Sequence, residues 1–133
     1  MILKVFTDGG SKGNPGPSSI GGVGYLNGRK VFDFKKSIGI ATNNDAEYKA
    51  LIEALEKVRG YELGVRKITQ IQFYSDSRLM INQIKGLFKV KNGRIREYIL
   101  IIRGLEQEVD LPITYNYVPR EQNVEADLLV NSV

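Results

Sequence analysis

Four acidic residues stand out by the company they keep. Asp8 follows the apolar run Ile2 to Phe6. Asp76 closes a second such run, where Tyr74-Ser75-Asp76 echoes Phe6-Thr7-Asp8. Glu47 lies one helical turn before Ala50 and Leu51, in line with Ala54 and Val58, and Asp127 lies three residues from both Val124 and Val130. An acid on an apolar face is costly unless something neutralises it. Taken locally, Glu47 is a boundary acid favoured in a first helical turn, and spacing by itself does not bring the four together. If they converge, they cannot all stay ionised without a counter-charge. Two divalent cations would supply it, and a carboxylate-held pair about 3.5–4 Å apart serves in-line displacement at phosphorus.

The residues the chain lacks narrow the chemistry further. It contains no cysteine and no histidine. That excludes disulfides, thiolate sites and the usual zinc ligands, and removes the usual acid–base residue. Any metal must be held by oxygen, which points to Mg²⁺, Mn²⁺ or Ca²⁺. The net charge is +4, yet the stretch from Ser77 to Arg96 carries six cations (Arg78, Lys85, Lys89, Lys91, Arg94, Arg96) and no acid, which leaves the remainder at −2. Such a block is either a solvated helix face or a patch for a polyanion. Leu87, Phe88 and Val90 interleave with the charges and favour the patch.

These residues need elements to position them. Ile2 to Asp8 reads as a buried strand. The following Gly9-Gly10-Ser11-Lys12-Gly13-Asn14-Pro15-Gly16-Pro17 is either an ordinary hairpin turn or a loop that offers N–H groups to an anion. Ile20 to Leu26 and Arg29 to Ile38 are strands joined at Asn27-Gly28, a strong hairpin signal. The first three strands should form an antiparallel meander. Thr42 or Asn43 caps a helix to about Arg59, with Gly60 beyond it. Its stripe is Ala50, Leu51, Ala54 and Val58, and Lys49, Glu53 and Lys57 are spaced for ion pairs on the other side. Lys67 to Asp76 is a fourth strand, expected parallel to the first because a helix connects them. Ser77 to Lys85 is a short helix ended by Gly86. Arg94 to Val109 is a helix with Ile95, Ile99, Ile102 and Leu105 as its stripe. Ile113 to Val118 is a fifth strand, and a final helix starts at Glu121, with Glu121 and Glu125 solvated. A single domain, 1–133, of ordinary composition accommodates all of this. No stretch is long and apolar enough to span a membrane and the N-terminus reads as a strand, so a cytoplasmic monomer is the default expectation.

In combination these motifs carry a resemblance. The chain is similar to type 1 ribonuclease H, in the compact form found in bacteria and archaea. The likeness rests on Thr7-Asp8-Gly9-Gly10-Ser11 with Gly13-Asn14-Pro15-Gly16-Pro17, on Thr42-Asn43-Asn44-Asp45-Ala46-Glu47-Tyr48, on Tyr74-Ser75-Asp76-Ser77, on Phe88-Lys89-Val90-Lys91-Asn92, and on Val118-Pro119-Arg120-Glu121-Gln122-Asn123 with Ala126-Asp127. Each piece is modest, but all in this order are specific and cover nearly the whole chain.

The resemblance implies a ribonuclease H-like α/β fold. Its five-stranded mixed sheet has strands 1–3 as an antiparallel meander, then parallel strands 4 and 5, with helices on both faces. It implies an endoribonuclease that cuts the RNA strand of RNA–DNA hybrids and leaves 5′-phosphate and 3′-hydroxyl ends. Asp8, Glu47, Asp76 and Asp127 would bind two Mg²⁺, with Mn²⁺ as a substitute. Gly9, Gly10 and Asn43 would lie along the RNA minor groove, where the 2′-hydroxyl distinguishes RNA from DNA. Asn14, Thr42 and Asn44 would hold phosphates, and Phe88, Lys89 and Lys91 would track the DNA strand. Two departures matter. Many members use a histidine before the last helix, and Arg120 is the nearest positional substitute here, so it joins the catalytic candidates. The last helix is also short. Double-stranded RNA, which is A-form too, is the alternative substrate, and a non-catalytic hybrid-binding module is the alternative from another class.

Overall fold

The computed structural model describes residues 1–61 and 67–133. Strands β1 (Ile2–Ser11), β2 (Gly16–Leu26) and β3 (Arg29–Ala41) form the expected antiparallel meander. The hairpin between β2 and β3 turns on Asn27 and Gly28, both at positive φ (50° and 75°), as a two-residue turn matched to strand twist requires. Helix α1 (Asn43–Arg59) then crosses to β4 (Gln70–Ser75), which lies parallel to β1. Helices α2 (Arg78–Ile84) and α3 (Gly93–Val109) lead to β5 (Ile113–Tyr117), parallel to β4, and α4 (Val124–Asn131) follows. The sheet order is β3-β2-β1-β4-β5.

Neighbouring residues on a strand point to opposite faces, and the glycines of β1 and β2 show what covers each. A Cβ on Gly9 would lie 2.3 Å from the Ala46 carbonyl carbon of α1, whereas one on Gly21 would lie 2.9 Å from Leu129 Cβ of α4. Helix α1 therefore covers one face and α4 the other. The core sits under α1: Leu3, Val5, Leu51, Leu55, Ile71, Phe73 and Ile102 are fully buried, and α3 packs beside α1 through Ile95, Ile102 and Leu105. Ile99 of the expected α3 stripe is only partly buried.

Several boundaries differ from the sequence reading, each for a physical reason. Strand β1 does not stop at Asp8 but continues to Ser11, because β2 extends back to Gly16 and pairs with it as far as Ser11–Ser18. Half of the glycine-rich stretch is thus strand. Strand β3 continues past Ile38 to Ala41, which pairs with Gly16 across a register shift between Ser18 and Ser19. Strand β4 starts at Gln70 rather than Lys67, since Lys67 is left-handed (φ 57°) and breaks the extension. The last helix starts at Val124, not Glu121. Arg120–Gln122 form a 3-10 turn, and Asn123 leaves helical geometry because its side-chain amide donates to the Thr7 carbonyl at 2.8 Å. Among the described residues Glu53 forms its ion pair with Lys36 of β3 at 3.2 Å, not with Lys49 or Lys57.

Candidate active site

The register brings two acids side by side. Parallel pairing of β1 and β4 ends at Thr7–Ser75. Asp8 and Asp76 are the next residue on each, where the two chains part. Ser75 and Ser77 shape that parting: the Ser75 hydroxyl accepts from Ser77 N at 3.0 Å, and the Ser77 hydroxyl caps α2 by accepting from Met80 N at 3.2 Å.

Glu47 arrives from α1. The absence of a side chain at Gly9 lets the first turn of α1 settle against β1, and Gly9 N donates to Glu47 Oε1 at 3.0 Å. Oxygens of Asp8, Glu47 and Asp76 then lie within 4.8 Å of one another. Asp127 joins from α4 on the Asp8 side. Asn123 ties the start of α4 to Thr7, next to Asp8, while Asn131 Nδ2 donates to Asp127 Oδ1 at 3.2 Å. All four acids line one cleft of about 450 Å³, together with Gly9, Gly10, Lys12, Asn43, Tyr117 and Arg120.

The crowding shows in the proton affinities. Burial, with the charges of Asp76 and Asp127 beside it, pushes the Asp8 carboxyl up to about 8, against the pull of the Gly9 N–H. Burial and the Asp8 charge push Glu47 well above the ordinary carboxyl range. Burial also raises Asp76, and the Arg120 guanidinium opposes that rise. Arg120 is largely exposed, with Nε 3.9 Å from Asp76 Oδ2, so it faces the cluster without a hydrogen bond to it. A divalent cation fits this donor set. The oxygens are hard, close and short of positive charge, and the chain has no imidazole or thiolate to compete.

The other candidates divide into two groups. Asn43 borders the cleft and is locked in place: its Oδ1 accepts from Ser11 N, and its N donates to Asn14 Oδ1, each at 2.9 Å. Thr42 caps α1, and its hydroxyl is engaged with Asp45. Phe88, Lys89 and Lys91 form an exposed loop between α2 and α3 and do not line the carboxylate cleft.

Three participants were missed in the sequence. Asn131 could have been found, since it lies one turn beyond Asp127 on the same helix side. Asn123 gives no local signal, because its partner is 116 residues away. Tyr117, whose ring lies 4.5 Å from the Arg78 guanidinium carbon, reads only as an alternating strand residue.

Known proteins resemble this chain in sequence and fold. The family model described as reverse transcriptase-like matches residues 6–133. A bifunctional protein of Mycobacterium tuberculosis is 35% identical over 98% of this chain, which spans only 35% of that relative, about a third of its length. Ribonuclease HI of Halobacterium salinarum is 35% identical over 97% of this chain and 62% of its own. The crystal structure of LC11-RNase H1 in complex with an RNA/DNA hybrid superposes with a TM-score of 0.91 at 35% identity, covering 98% of this chain and 95% of that one.

Proposed function

The chain belongs to the type 1 ribonuclease H family, and from that membership we propose that it hydrolyses the RNA strand of RNA–DNA hybrids. The observation that carries this reading is the meeting of Asp8, Glu47 and Asp76 within 4.8 Å in a cleft bordered by Gly10 and Asn43. These three acids and Asp127 would hold two Mg²⁺ ions, with Mn²⁺ as a substitute. Such ions, when bound, supply a water of lowered pKa and offset the charge that develops on the phosphoryl oxygens.

The chain's own residues position and discriminate. The Gly9 N–H fixes the Glu47 carboxylate beside Asp8. A guanidinium offers only donors and positive charge, so Arg120 would orient a phosphate and offset negative charge. In the reaction a water oxygen bonds to phosphorus while the P–O3′ bond breaks. The departing O3′ takes a proton, and the phosphate stays on the 5′ end of the downstream fragment. Gly9 and Gly10 backbone and the Asn43 amide would read the 2′-hydroxyls of the minor groove. Asn14 and Asn44 would hold phosphates. Thr42, whose hydroxyl is engaged with Asp45, would fix the two asparagines that follow it. Phe88, Lys89 and Lys91 would follow the DNA strand at a distance from the chemistry.

The test is cleavage of end-labelled RNA–DNA hybrid, double-stranded RNA and double-stranded DNA side by side with Mg²⁺. The hybrid should be cut to 5′-phosphate and 3′-hydroxyl ends and the DNA duplex left intact. A hybrid with 2′-deoxy residues flanking the cut should react poorly, because polar groups in the cleft are left without partners. Equal cleavage of DNA duplex, or hybrid binding with no cleavage at any Mg²⁺ or Mn²⁺ concentration, would reject the proposal.

A further inference from the structure

We propose that Asp45 is a positioning residue that holds the two hybrid-contacting surfaces of this chain at a fixed separation, using Arg94 as its tie. This rests on the reading of function above. Asp45 is 5% exposed, and its two oxygens face different elements. Oδ2 accepts from Thr42 N at 3.2 Å and from Thr42 Oγ1 at 2.8 Å, at the cap of α1. Oδ1 accepts from Arg94 Nε at 2.8 Å and from Tyr98 OH at 3.2 Å, both on α3.

A capping box needs only the first of these. The second oxygen reaches a cation 49 residues further along the chain. It does so although α1 and α3 already pack through a buried apolar contact that includes Leu51, Leu55, Ile95 and Ile102. The ion pair is therefore additional to the apolar contact that already fastens the two helices.

What the tie connects points to its role. On the α1 side, Thr42 is followed by Asn43 and Asn44, and Asn43 is clamped to the glycine-rich hairpin through Ser11 and Asn14. On the α3 side, Asn92 caps the helix by accepting from Arg94 N at 2.9 Å, and Arg96 Nε donates to the Val90 carbonyl at 3.1 Å. The basic loop is thus pinned to the first turn of α3, that turn to Asp45, and Asp45 to the cap beside the cleft. A duplex gripped at both places gains most when their separation is set before binding, because no ordering then opposes the second grip.

The test exploits a sign. Asp45→Asn removes a negative charge near a polyanion, so electrostatics alone would tighten hybrid binding. A severed tie would loosen it. We expect folded Asp45→Asn, verified by its thermal midpoint, to bind hybrid in EDTA several-fold more weakly and to show the effect in KM rather than kcat. The coupling is read from a cycle with Lys89→Ala. That change should weaken binding by roughly threefold or more in wild type and by less than about twofold in the Asp45→Asn background. If Asp45→Asn does not fold, Arg94→Met, which leaves the capping box intact, runs the same cycle. Binding by Asp45→Asn as tight as wild type, or effects that simply add, would overturn the tie while the functional reading stands. Wild type that fails to bind hybrid would overturn both.

Discussion

Asp8 is a carboxyl that its surroundings would rather keep neutral. Its proton affinity rises from 3.8 to about 8 on folding. Between those values the metal-free folded state binds a proton that the unfolded chain does not. The stability that Asp8 contributes is therefore fully present below about pH 4 and is lost as pH rises towards 8. Asp8→Asn imitates the protonated form throughout. It should match wild type near pH 4 and exceed it at pH 8 by roughly 2–4 kcal/mol in EDTA, while cleavage in Mg²⁺ is abolished. Denaturant unfolding at both pH values decides this, and equal curves at pH 8 would show that the cluster does not strain the fold. Arg120 makes the complementary case. It approaches Asp76 only to 3.9 Å, and its planar guanidinium is suited to orienting a phosphate. Arg120→Ala should lower kcat far more than it weakens binding, and Arg120→Lys should restore only part, since the planar fork is gone. With no histidine in the chain, the rate should rise through neutrality without an inflection near about 6.5. Single-turnover cleavage by Arg120→Ala across pH is the check, and wild-type rates throughout would remove Arg120 from the mechanism.

At the scale of elements, the site depends on how closely α1 approaches β1. Gly9 permits that approach, because a Cβ there would sit 2.3 Å from backbone atoms of Ala46. Backbone cannot rotate aside as a side-chain tip can. Gly9→Ala should therefore displace α1, lower stability by roughly 2–3 kcal/mol and separate Glu47 from Asp8. A thermal midpoint within a degree of wild type, with full activity, would contradict this. Asp8, Glu47 and Asp76 were legible because each sat against an apolar pattern, whereas the pattern around Asp127 holds only in part, since Val130 is buried but Val124 is 54% exposed. The meander was legible from Asn27-Gly28, and α1 from a cap at Thr42 or Asn43, of which Thr42 is the one used. What escaped was whatever depends on partners distant in sequence. Strand β1 runs on through two glycines because β2 pairs with it there, and α4 starts late because Asn123 serves Thr7. Asp45 completes the capping box of α1, and nothing local reveals that its other oxygen binds Arg94.

Over the whole molecule, charge and chemistry are kept apart. The acids gather in one cleft, whereas six of the nineteen cations lie between Arg78 and Arg96, where the chain has no acid. Lys89 and Lys91 are exposed on a loop that does not line the cleft, and Phe88 beside them is 48% exposed. On the proposed function its ring is available for a bound nucleic acid to stack on. Affinity should then depend on this loop and turnover on the cleft. Lys89→Ala combined with Lys91→Ala should weaken hybrid binding and flatten its salt dependence, with the log–log slope falling by about 0.7–0.9 for each phosphate no longer neutralised. Because neither lysine lines the carboxylate cleft, kcat at saturating hybrid should hold and the effect should appear in KM. The deciding measurement is hybrid affinity across salt concentrations for wild type and the double variant. An unchanged slope would make the loop an ordinary solvated surface and leave the cleft to bind the duplex unaided. On the proposed function that outcome would leave binding to a cleft whose own carboxylates repel phosphate until cations intervene. On that same proposal, a second, basic surface would let this acidic cleft hold a polyanion in place.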